Sequence, residues 1–135
     1  MAFGQRPGPA KDAAARAFCA ANLAAFSIGT PGGGLVNVAV TLQDAQGVSP
    51  GQRVSLPFYL ASTATGDTIT PSAATIAIGT KGGPLLQIVS GKAYHVVSDA
   101  NGQFDINITA TGVTYYLVII MPDGSLVISS AIVLP

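Results

Sequence analysis

The sequence predicts an all-β fold, a Greek-key sandwich of about seven or eight short strands, preceded by an N-terminal arm and one short helix. Three observations in its last third carry that reading. Gln103–Thr109 (QFDINIT) alternates strictly, with Phe104, Ile106 and Ile108 on one side and Asp105, Asn107 and Thr109 on the other. A period of two marks a strand with one buried and one wet face. Residues 114–121 (TYYLVIIM) are apolar on both sides, the pattern of a strand covered on both faces or facing a neighbouring chain. Pro122, Asp123 and Gly124 then supply turn chemistry, and 125–134 (SLVISSAIVL) returns as a further strand.

Taken in order, residues 1–9 (MAFGQRPGP) form an arm without periodicity. Residues 10–26 are rich in alanine and free of Gly, Pro and β-branched residues, which predicts a helix. At 3.6 residues per turn Ala15, Cys19, Asn22 or Leu23, and Phe26 share one face, with Phe18 beside it. So short a helix is marginal alone, so its apolar face must dock. Phe18, Leu23 and Phe26 are the candidate assembly contacts, through which the N-terminal arm and helix would reach a neighbouring subunit. The plainer alternative is packing against the chain's own sandwich. Residues 27–34 (SIGTPGGG) read as a flexible tether, giving two parts: 1–34 for arm, helix and tether, and 35–135 for the sandwich.

Leu35–Gln43 follows as a strand with Val36, Val38, Val40 and Leu42 inward. Residues 44–51 are a turn cluster. The strand at 53–61 carries Val54, Leu56, Phe58 and Leu60 on one face, and Pro57 demotes it to an edge or a bulge. The loop 62–74 is long enough to be a presented feature. Thr75–Ile78 and 84–89 read as a hairpin around 79–83 (GTKGG), and 93–98 is one more strand before the turn at 99–102.

Composition restricts the function. Charged residues are 9% of the 135, there is no glutamate, and the net charge is zero, whereas ordinary domains carry about a quarter. A neutral, charge-poor surface favours association. Coverage in a larger, many-copy assembly is therefore preferred over a lone domain with a neutral polar coat. The six Lys and Arg are scattered and form no basic stripe for nucleic acid. No apolar run reaches the roughly 18 residues of a membrane helix. Arg16 interrupts the apolar segment that an export signal would need. The single cysteine, Cys19, excludes an intramolecular disulfide and a Cys-based zinc site.

No catalytic apparatus is legible, and no cofactor or metal is expected. His95, the one histidine, has no partner nearby in sequence and reads as a strand residue beside Tyr94. Cys19 lacks an activating base. Asp44, Asp67, Asp99, Asp105 and Asp123 are too isolated for a calcium loop, and turn formation explains those near glycine. The sequon at Asn107, Ile108 and Thr109 lies inside a strand and is read as chance.

Residues 40–54 (VTLQDAQGVSPGQRV) and 98–109 (SDANGQFDINIT) resemble segments of bacterial immunoglobulin-like repeats. The closing GVTYYL strand, aspartate–glycine hairpin and final apolar strand look like small virion structural proteins of tailed bacteriophages. The likeness covers 35–135, while Pro57 and the stretch 62–83 depart from it. It implies an immunoglobulin-like sandwich that decorates or cements a capsid surface. It also implies the major capsid protein or other virion subunits as partners, and no enzyme activity. An adhesive module of a tail fibre or cell surface, meeting a receptor through 62–74 and 79–83, is the alternative.

Overall fold

Apolar residues recurring at every second position, in phase between neighbouring strands, build two antiparallel sheets from this chain. The computed structural model describes residues 21–135. The strands there are β1 (Leu23–Ile28), β2 (Leu35–Gln43), β3 (Ser55–Ala61), β4 (Thr75–Ile78), β5 (Leu85–Val89), β6 (Ala93–Val97), β7 (Gln103–Thr109), β8 (Val113–Ile120), β9 (Leu126–Ile128) and β10 (Ile132–Leu134). The first sheet has the order β1-β2-β7-β4. The second runs β10-β8-β3-β6-β5, with β9 also paired to β8. Val36, Val38, Val40, Leu42, Ile106 and Ile108 from the first sheet meet Leu56, Leu60, Val96, Tyr115, Leu117 and Ile119 from the second, all buried. Phe58 lies between Tyr94 and Phe104, with ring centroids 5.9 and 6.4 Å away. This is a β-sandwich with its core between two sheets.

The helix expected over 10–26 is corrected where it can be seen: Leu23–Ile28 is a strand paired along its whole length with β2. Residues 10–20 lie outside the described part. Alanine propensity is a weak prior. Here Ala24, Phe26 and Ile28 fall in step with Val38, Val40 and Leu42, and the ladder wins. The expected tether at 27–34 is in fact the end of β1 and a hairpin loop, closed by bonds between Gly32 and Leu35 and from the Gly29 amide to the Asn37 carbonyl. The boundary at 34/35 therefore falls inside the first sheet.

Pro57 does not make β3 an edge. Ser55–Tyr59 pairs with β6, and Phe58–Ala61 pairs with β8. The Leu60 amide points to the β6 side, donating to the Lys92 carbonyl at 2.8 Å. By alternation the Pro57 nitrogen faces β8, one residue beyond the last β3–β8 pair, where no ladder bond is lost. Nor do β4 and β5 form a hairpin: β4 pairs with β7, and β5 pairs with β6 in the other sheet. The turn at 79–83 crosses between layers. Finally, 125–134 is two strands, offset by one residue at Ser129, whose Oγ accepts the Leu117 amide at 2.9 Å. A bulge of this kind lets one edge serve two registers.

Candidate interaction surface

Three outward-facing features can carry chemistry or contacts: the Asp105 centre on the first sheet, the Ser55–His95 pair, and the outer face and free edge of the second sheet.

Asp105 was expected on a wet face and is buried. Its Oδ2 accepts the Asn37 amide at 2.8 Å, and its Oδ1 accepts the Thr80 and Lys81 backbone amides at 2.9 and 2.6 Å. Burial pushes the carboxyl pKa upward, but hydrogen bonds from Asn37, Thr80 and Lys81 together outweigh it and leave the value lowered. A Cβ at Gly79 would stand 1.9 Å from Asp105 Oδ2, so only glycine lets the chain come this close. The centre pins the layer-crossing turn at 79–83. Asp44, Asp99 and Asp123 cap turns. Asp44 accepts the Gln46 and Val48 amides, Asp99 those of Asn101 and Gln103, and Asp123 that of Ser125. Among the described residues no group of metal-ligating side chains converges.

His95 has a partner that sequence proximity did not reveal: its Nε2 is hydrogen-bonded to Ser55 Oγ. A hydroxyl beside an imidazole is half of a nucleophilic pair. Here the pair lies on an open strand surface, and Ser55 is exposed. Among the described residues no carboxylate is hydrogen-bonded to either side chain. The arrangement is a cross-strand polar contact between β3 and β6.

The outer face of the second sheet is largely apolar and only partly covered. The loop 62–74, expected to be presented, folds back on part of it. Tyr59 Oη donates to the Gly66 carbonyl, and Gly66, at φ +74, lies over Val118 and Ile128. Thr63 and Thr65 hydroxyls donate to Asp67 Oδ1 and lower its pKa. The neighbouring row stays open. Leu86 is opposite His95, His95 is opposite Pro57, and Ile120, one step past the last β3–β8 pair, is opposite Leu126. Leu86 and Leu126 are 55% and 46% exposed. Strand β5 ends the sheet, and Leu86, Gln87, Ile88 and Val89 are all exposed, with Ile88 at 58%. A contiguous apolar patch rimmed by polar residues is the mark of a contact surface.

The sequence-derived contacts separate. Phe18 and Cys19 lie outside the described residues. Leu23 is exposed on the outward side of β1, and Phe26 points the other way, half-buried against the chain's own core. The two do not share a face. The β5 surface escaped the sequence reading because a continuous apolar run looks the same whether buried or bare.

No protein-family model matches the chain, and no curated protein matches it. Among solved structures it is similar to the cohesin module from Clostridium perfringens ATCC13124 family 33 glycoside hydrolase, over 83% of this chain and 95% of that one, at 7% identity and a TM-score of 0.37. A likeness of that size carries no functional weight. Among the described residues no helix is long and apolar enough to cross a membrane.

Proposed function

We propose that the chain is a non-enzymatic structural protein of a bacteriophage virion, an immunoglobulin-like module that decorates the capsid and docks with the outer face of its second sheet. The observation that carries this is the exposure of Leu86 and Leu126 at the two ends of a row through the half-buried His95, Pro57 and Ile120, on a protein with only 9% charged residues. The strand order supports the immunoglobulin-like part. β1-β2-β7-β4 stacked on β10-β8-β3 follows the A-B-E-D and G-F-C strands of such modules. The extra β5–β6 hairpin widens the second sheet and supplies the contact.

Covering Leu86 and Leu126 contributes about 1 kcal/mol each, since each is half-exposed in the free chain. Repetition over many copies makes the modest gain sufficient. The adhesive alternative would use 62–74 and 79–83. Both loops have exposed residues, but the first is anchored at Gly66 over Val118 and Ile128 and the second is held by Asp105, so neither is free to adapt to a receptor.

The test is co-sedimentation of the purified protein with shells stripped of it. Leu86→Lys with Leu126→Lys is expected to weaken binding at least tenfold. Removal of residues 1–20 is expected to leave the sheet's contribution intact. Unchanged binding by the double variant refutes the docking face.

A further inference from the structure

We infer that the edge of β5 pairs with the same edge of a second copy of this chain, antiparallel and with Gln87 on the two-fold axis. The inference deepens the assembly reading by naming a partner for β5, but it uses the strand's edge rather than the sheet's face.

The backbone sets the geometry. Pro84 accepts a hydrogen bond from the Val97 amide at 3.2 Å, so even-numbered residues at the start of β5 address β6. Leu85 and Gln87 therefore point their N–H and C=O groups away from the sheet, and among the described residues nothing meets them. An edge with unpaired groups is a template for another strand. Natural edges are usually blunted by lysine or proline within the strand, and LLQIV carries neither.

The sequence about Gln87 is also self-complementary. Placing Gln87 opposite its own copy makes an exchanged pair of main-chain bonds. It sets Leu86 against the copy's Ile88, both exposed and apolar, and lets the two Gln87 amides bond each other. The nearest cations, Lys81 and Lys92, lie outside the strand, and the chain's zero net charge adds no long-range repulsion between copies. An isologous contact needs one patch that fits itself, and this strand is one. The register shift between Gln87 and Val89 cuts the ladder short. The pairing is thus brief and concentration-dependent, suited to copies already crowded on a surface.

Sedimentation equilibrium tests it. The native chain is expected to pass from one to two copies as concentration rises between about 1 μM and 1 mM. Gln87→Pro removes one outward N–H without touching the β6 ladder, and is expected to stay monomeric while keeping shell binding. Leu126→Lys is expected to keep the dimer while weakening shell binding, so the two readings fail separately. A native chain that stays monomeric throughout, or a dimer indifferent to Gln87→Pro, overturns the pairing. Should Gln87→Pro fail to fold, Gln87→Cys in a Cys19→Ser background decides. Paired strands hold the two Cα atoms about 5.5 Å apart, within disulfide reach. Oxidation is expected to give a covalent dimer from it and none from Val133→Cys in the same background, and no dimer from Gln87→Cys also overturns the pairing.

Discussion

At the scale of single residues, Asp105 gathers more side-chain-mediated links between elements than any other polar group among the described residues. Its carboxylate joins β2, β7 and the turn at 79–83, bonding Asn37, Thr80 and Lys81 at once. Asp105→Ala leaves those donors without an acceptor, and urea unfolding should show a loss of about 3 kcal/mol. Gly79→Ala should cost a similar amount, because its methyl group would occupy the position of Oδ2. The pH dependence follows from the lowered pKa. A carboxyl held below its unfolded value of 3.8 contributes stability that is full above that value and is lost as pH falls through the folded one. Chemical denaturation at steps from about pH 5 to pH 2 should show that decline. Asp105→Asn should flatten it in part, with Asp67 and Asp123, also lowered, carrying the remainder.

At the scale of elements, strands were readable wherever alternation was clean. Leu35–Gln43, Thr75–Ile78 and Gln103–Thr109 have the bounds their patterns predict. β1 was misread because Ala24 and Ala25 favour a helix locally. The decisive contacts, Ala24, Phe26 and Ile28 against the core, appear only once β2 is in place. The supposed β4–β5 hairpin failed for a related reason: Asp105 captures the intervening turn from 24 and 25 residues further along the chain. Exposure of β5 was illegible altogether, since nothing in LLQIV says which side is covered. The consequence for β1 can be measured. Phe26→Ala should destabilise by about 2 kcal/mol, being half-buried against the core. Leu23→Ala, on the open side, should change stability by less than about 0.5 kcal/mol. Equal effects would fit a helix docking both side chains on one surface, and would contradict the strand.

At the scale of the whole molecule, the charge poverty visible in the sequence and the bare second sheet are two views of one property. A sandwich with zero net charge and an exposed apolar row gains by being covered. The candidate contacts shift accordingly. Phe26 belongs to the molecule's own core, and Leu86, Ile88, Val89, Leu126 and Val133 are exposed on the second sheet, beside Leu23, Leu35, Val48 and Ile69 elsewhere. That surface was beyond the reach of sequence patterns, because which face of a sheet stays open depends on where the loop at 62–74 comes to rest. The same picture explains why His95 and Ser55 read as a surface contact. The pair bridges β3 and β6 beside the exposed Leu86, where it ties two strands together.

An image of the native particle at a resolution that resolves strands tests the central claim most directly. Many regularly spaced copies on the shell are expected, with Leu86 and Leu126 turned toward the capsid. Copies absent from the shell, or seated with that face in solvent, would contradict it.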